Sequence, residues 1–150
     1  MKILPVAYGA AEFAGLRRRT RVQAMHTAAG WARAGFLGDH EVRLAANGAG
    51  KARAAAAAAV DAAMASFRAD AVASVGYCGA IDPGLAAADI VVGTSVLECG
   101  RCFAAQASAT AAPHRRGAVC SIDRVAGTAA EKSALRSTEW FRAGRLAHVS

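Results

Sequence analysis

The stretch that most restricts the fold is KARAAAAAAVDAAMASF, residues 51–67, with six consecutive alanines at 54–59. Alanine is the best helix former and contributes little buried area. Val60, Met64 and Phe67 recur at i, i+4 and i+7, so the expected helix carries one narrow apolar stripe. Its small side chains allow it to lie close against a sheet. Strand-like segments surround it. KILPVAY (2–8) reads as an apolar strand that turns at Gly9. WARAGFLGDHEVRLAANG reads as two strands around Gly38-Asp39, a hairpin signal. DAVASVG (70–76) reads as a short buried strand, ADIVVGTSVLE (88–98) as another after the turn DPGL, and GAVCSIDRVAG (117–127) as a further one. Residues 10–19 suggest a short helix with Phe13 and Leu16 on one face, and Thr128-x-x-Glu131 is a capping box opening a helix to about Ser137. Strands alternating with helices imply an α/β layer fold around a mainly central sheet.

At 150 residues the chain is expected to form one domain, 1–150. Its hydrophobic content of 55% and mean hydropathy of +0.25 argue against disorder. Lys51, Arg53 and Asp61 break the alanine tract, which leaves no apolar run of about 18 residues and no expected membrane span. MKILPVAYGAAEF carries a single lysine and then an acidic Glu12, so it reads as a first strand and not a signal peptide, with the cytoplasm as the expected compartment. A net charge of +7 raises the question of nucleic acid. The basic residues are scattered, however, with one cluster at Arg17, Arg18, Arg19 and Arg21. Neither aromatic interleaving nor zinc-finger spacing accompanies them, so the cluster reads as a solvated helix end and nucleic acid is not expected as a partner.

Cys99 and Cys102 form a C-x-x-C, and Cys78 and Cys120 stand alone. A structural zinc needs four ligands, and the other two would have to come from Cys78, Cys120 or His114, none in a second close pair. A redox motif would open a helix just after a strand near the N-terminus. The cysteines therefore read as reduced thiols, with no metal and no cofactor. Residues 45–60, AANGAGKARAAAAAAV, have the look of a phosphate loop. Ala45 stands where a Walker A loop needs glycine, Ala52 where it needs Ser or Thr, and Arg53 where the dinucleotide fingerprint needs Gly or Ala. A tight strand-to-helix turn remains, its glycines supplying unusual backbone angles.

The ordered set Asn47-Gly48-Ala49-Gly50-Lys51, Val75-Gly76-Tyr77-Cys78-Gly79-Ala80, Asp82-Pro83-Gly84-Leu85 and Ala88-Asp89-Ile90-Val91-Val92 resembles the nucleoside phosphorylase/nucleosidase superfamily. The resemblance is nearest to the methylthioadenosine/S-adenosylhomocysteine nucleosidase-like branch, whose members show a GIGK-type turn, a long helix and a TGxAGG…P.L..GD(I/V)VV segment. It covers about residues 1–137. It implies a three-layer α/β fold with a mixed central sheet and cleavage of a purine N-glycosidic bond. Water would be the nucleophile in the nucleosidase branch and phosphate in the phosphorylase branch. The family's carboxylate that orients and deprotonates the water lies just after the first strand, where this chain has Glu12. By the same resemblance Tyr77, Cys78 and Gly79 lie along the ribose and base, although Tyr77 and Cys78 replace the small Ser/Thr and Ala common there. The Gly-Asp-Pro-x-Arg of the phosphorylases is not present, which favours hydrolysis. Possible nucleosides include methylthioadenosine, adenosylhomocysteine, futalosine and an adenosylated lipid.

The family continues past residue 150 with a strand, a Met-Glu ribose-binding pair and an aspartate that protonates N7 of the base. Here EWFRAGRLAHVS (139–150) departs from that pattern. Asp123 comes too early to be the acid, and Glu139 lacks the preceding Met. The expectation is a C-terminally truncated member whose isolated chain is impaired, with a divergent tail at 139–150 and a homodimer if folded. The alternatives are a phosphate-dependent phosphorylase and an inactive nucleoside-binding remnant.

Overall fold

The computed structural model describes residues 1–25, 31–46, 48, 65, 67–98, 101–107, 110–122 and 125–138. The chain divides into two compact units, Met1–Gly76 and Tyr77–Ser150, and each is described by itself.

The first unit is built on a five-stranded sheet of order β2-β3-β4-β1-β5. Its strands are β1 (Lys2–Ala7), β2 (Arg21–Ala24), β3 (Trp31–Leu37), β4 (His40–Ala46) and β5 (Ala71–Ser74). β1 pairs in parallel with both β4 and β5, through Ile3↔Val42 and Val6↔Ala45 on one side and Ile3↔Ala71 and Val6↔Ser74 on the other. β2, β3 and β4 are antiparallel neighbours. The sheet is therefore mixed, as expected. The hairpin read at Gly38-Asp39 is the β3–β4 connection, with Leu37 opposite His40 and Gly38 at a φ of +56°.

Side chains alternate across a strand with period two, and both faces of this sheet are covered. Ala7, Leu44 and Ala46 pack on one face with Phe13, which comes from a 3-10 turn at Ala10–Phe13 that continues into α1 (Ala14–Arg17). Leu16 packs against the same cluster, as its i, i+3 spacing from Phe13 predicts. Leu4 and Ala45 pack on the opposite face with Phe67. Phe13 and Phe67 are each only 1% exposed, so each contributes about 1.5–3 kcal/mol by burial. The rest of the helix expected at 51–67 lies outside the described residues, apart from Ala65 and Phe67, both helical.

Two readings of this unit are corrected. The arginine cluster is not simply a helix end, because α1 stops at Arg17 and Arg21 opens β2, a strand the sequence did not announce. The second correction concerns β5, which was expected to be buried but leaves Val72 51% exposed and Ser74 exposed. Among the described residues it is the last strand in its sheet, paired on one side only.

In the second unit β6 (Val91–Glu98) is the middle strand of three, antiparallel to β7 (Arg101–Ala104) and parallel to β8 (Arg115–Ser121). β7 also escaped the sequence reading. Cys102 lies on it, so the C-x-x-C spans the connection between two antiparallel strands and does not open a helix. Cys99 lies outside the described residues. Cys78 and Cys102 are free thiols. α2 (Ala129–Ser137) starts and stops where the capping box predicts: Thr128 Oγ1 accepts the Glu131 N–H at 3.2 Å, and the Glu131 carboxylate accepts the Thr128 N–H at 3.0 Å. Among the described residues no helix is long and apolar enough to cross a membrane.

The turn leading into β6 holds Ala88 at a φ of +73°, where the GD pattern of the resemblance has glycine. Asp89 closes this turn, accepting the Ala86 N–H at 3.0 Å. An alanine in the left-handed region is strained by about 1–2 kcal/mol. Ala88→Gly should therefore raise stability by about 0.5–1 kcal/mol after the larger chain entropy of glycine is counted, read as a higher urea midpoint with an unchanged m-value. Phe13→Ala should cost about 3–5 kcal/mol in the same measurement, whereas Phe36→Ala, at a 64% exposed position, should stay within about 0.5 kcal/mol.

Candidate active site

Parallel strands place their carboxyl ends, and the loops that follow, along one edge of a sheet, the usual place for ligand contacts in α/β folds. In the first unit β1, β4 and β5 do this. The segments Tyr8-Gly9, Gly48 and Val75-Gly76 follow their ends. Two backbone hydrogen bonds tie the segments together: the Gly48 N–H donates to the Tyr8 carbonyl and the Val75 N–H to the Val6 carbonyl, both at 2.9 Å. Gly48 has a φ of +83°, which bears out the glycine requirement of this turn. Asn47, Ala49, Gly50 and Lys51 lie outside the described residues.

Glu12 is delivered to this edge by the 3-10 turn. Gly9 precedes the turn in extended conformation, and its carbonyl accepts the Glu12 N–H at 3.1 Å. In return the Gly9 N–H donates to Glu12 Oε2, also at 3.1 Å. The next residue, Phe13, is locked into the core by stacking on Trp31, with ring centroids 5.5 Å apart and planes inclined by 15°. Backbone reciprocity on one side of Glu12 and an aromatic anchor on the other leave its half-buried carboxylate little freedom.

The third element is Gly76. A Cβ placed there would lie 2.6 Å from Glu12 Oε1 and 3.1 Å from Cδ. The carboxylate therefore lies against a backbone that only glycine leaves open. One oxygen accepts a backbone N–H from the end of β1, and the other faces the end of β5. A half-buried carboxylate held in this way can accept a proton from a bound water and orient it toward a ligand at the strand ends.

Tyr77, Cys78 and Gly79 follow Gly76 in the chain and open the second unit. Tyr77 and Cys78 are exposed and Gly79 is half-buried. Although Cys78 is exposed overall, partial desolvation of its thiol pushes it above its ordinary range. Among the described residues no group of three or more His, Cys, Asp or Glu side chains is arranged to hold a metal ion. Asp123 and Glu139 lie outside the described residues.

Sequence reading placed Glu12 but missed its two supports. The signal for Gly9 was present: a glycine three residues before a glutamate at a helix start is the backbone half of a capping arrangement. Gly76 entered the sequence reading only as part of the motif Val75–Ala80, and its open Cα faces the carboxylate.

A carboxylate thus stands at the carboxyl ends of parallel strands in a mixed sheet, the edge where α/β folds usually present ligand contacts. The chain belongs to the phosphorylase superfamily, whose family model matches residues 4–109. No curated protein sequence matches it. Its fold is similar to that of 5′-methylthioadenosine/S-adenosylhomocysteine nucleosidase from Streptococcus pneumoniae, solved with a transition-state inhibitor. That match has a TM-score of 0.78 at 20% identity and covers 99% of this chain and 75% of the other. The corresponding nucleosidase from Neisseria meningitidis, solved with methylthio-immucillin-A, matches at a TM-score of 0.76 and 21% identity, with 99% and 74% covered. A futalosine hydrolase mutant from Helicobacter pylori matches at 0.71 and 12%, with 99% and 77% covered. The phosphorylase/nucleosidase fold expected from the sequence is the fold observed, and by family the chain stands among the enzymes of the phosphorylase superfamily.

Because the atom facing Gly76 is the end of a flexible side chain, Gly76→Ala should leave the protein folded and displace the carboxylate instead. The Gly9 amide resonance should then move in the same direction as in Glu12→Ala, with circular dichroism unchanged. An unmoved Gly9 resonance would contradict this geometry.

Proposed function

We propose that this protein hydrolyses the N-glycosidic bond of a purine nucleoside of the methylthioadenosine or adenosylhomocysteine type, with Glu12 activating the water. The observation that carries the reading is the Glu12 carboxylate at the parallel strand ends, held by the Gly9 N–H at 3.1 Å and facing Gly76. The family match over residues 4–109 and the similarity to nucleosidases solved with nucleoside analogues support it.

Bond cleavage develops positive charge on the sugar as the C1′–N9 bond lengthens. The negative charge of Glu12 favours that state, and its oxygen takes the proton of the attacking water as the new C1′–O bond forms. The electron pair of the broken bond leaves with the base, which takes up a proton. General-base assistance of this kind contributes about 10²–10⁴-fold. In this reading Tyr77, Cys78 and Gly79 run along the ribose and base: the Tyr77 ring offers a stacking face, the neutral Cys78 thiol adds no charge beside the base, and Gly79 permits close backbone approach. In this reading residues 1–150 are one partial domain of the nucleosidase type with a divergent tail at 139–150, and purine salvage in the cytoplasm is the setting that fits such a reaction.

The test is adenine release from methylthioadenosine by the full chain, with and without inorganic phosphate. Release at the same rate in both, with free methylthioribose as co-product, is expected. Strict phosphate dependence with a sugar 1-phosphate product would replace hydrolysis by phosphorolysis. Absence of release from folded protein, with a ligand-dependent rise in Tm, would make the chain a nucleoside-binding protein without turnover.

A further inference from the structure

The junction between α1 and β2 forms a groove of about 470 Å³ lined by Ala14, Arg17, Arg18, Thr20, Arg21 and Val22. It is open to solvent, with room for one phosphate or pyrophosphate group. Three of its six walls are arginines, and none is acidic. Among the described residues the guanidinium groups of Arg18 and Arg21 have no carboxylate partner, and Arg17 lies over the Trp31 ring at 5.9 Å, a contact that directs it without neutralising it. None of the lining residues belongs to the Gly9, Glu12 and Gly76 cluster.

The end of a helix usually disfavours anions, because its last carbonyls point outward. Here two of them are engaged. The Ala14 carbonyl accepts the Arg18 N–H at 3.3 Å, and the Leu16 carbonyl accepts both the Arg19 N–H at 3.0 Å and the Thr20 hydroxyl at 2.9 Å. Thr20 is itself buried, so this double acceptance fixes the turn that carries the arginines. The groove thus gathers three arginines around a turn in which the Ala14 and Leu16 carbonyls already accept hydrogen bonds.

We propose that this groove is a second binding site, for a small molecule bearing a phosphate or pyrophosphate group. Guanidinium forks match phosphate oxygens in bidentate geometry and stay charged at every physiological pH. The site's extent favours a small ligand over a polymer. Its cations come from one five-residue stretch, Arg17–Arg21. A polyanion would need a continued basic track. The proposal does not rest on the nucleosidase reading.

Calorimetric titration of the full chain with pyrophosphate, at about 50 mM and about 200 mM salt, tests it. One-to-one binding that weakens with salt is expected. The double variant Arg18→Ala/Arg21→Ala should lose affinity by about tenfold or more, and Arg18→Lys/Arg21→Lys should recover part of it, since ammonium keeps the charge without the fork. Glu12→Gln and Arg115→Ala/Arg116→Ala, a basic pair that does not line the groove, should bind as the unmodified protein does. Absent pyrophosphate binding would overturn the proposal, as would binding unaffected by the Arg18/Arg21 double variant or lost equally in the Arg115/Arg116 control. A single-stranded oligothymidylate that binds this surface more tightly than pyrophosphate, with a steeper salt dependence, would overturn it in favour of a polymer. A chain inactive on methylthioadenosine that still binds pyrophosphate through Arg18 and Arg21 would leave it standing.

Discussion

The pairing of β1 with β4 on one side and β5 on the other is the constraint on which the first unit depends. Two parallel neighbours put three carboxyl ends on one edge, and parallel pairing requires the intervening chain to cross a face of the sheet. Both faces of this sheet are covered. Phe13 and Leu16 lie over Leu44 and Ala46, and Phe67 lies over Leu4 and Ala45. A one-residue slip of β1 would exchange these sets and place its apolar side chains on the wrong faces, so register and site are fixed by the same packing.

That packing also explains why Glu12 stands where it does. The 3-10 turn is short and would be marginal alone. It is held by Phe13 against Trp31, and Trp31 sits opposite Ala46 at the end of β4. The carboxylate one residue earlier then meets the Gly9 N–H and the open backbone at Gly76. Core anchor, turn and carboxylate form a chain of dependence from sequence to site, and Gly76 matters because its missing side chain leaves room for an oxygen.

Much of this was legible in the sequence wherever the signal was local. Gly38-Asp39 announced the hairpin, Thr128 and Glu131 the start of α2, Asp82-Pro83-Gly84 the turn before β6, and Phe13 with Leu16 the buried face of the first helical turn. β2 and β7 were not legible. RVQA and RCFA are four residues long, carry arginines and no sustained alternation, and become strands only through pairing with β3 and β6. The exposure of β5 was hidden because AVAS reads the same in the middle of a sheet as at its margin. Glu12 was found through the family pattern, while its supports were not, because a contact between residues 12 and 76 leaves no mark on local sequence. The family pattern fits the strands and turns closely enough to establish membership. Tyr77 and Cys78 remain this chain's own departures, at the segment expected to meet the nucleoside.

The most direct measurement is single-turnover base release from methylthioadenosine by the full chain and by Glu12→Gln, which keeps the side chain's shape and its acceptor for the Gly9 N–H but removes the base. If Glu12 activates the water, the variant should retain its Tm and its affinity for the nucleoside while the rate falls by about 10²–10⁴-fold. A Glu12→Gln protein that releases adenine as fast as the unmodified chain would contradict the assignment of catalysis to this carboxylate.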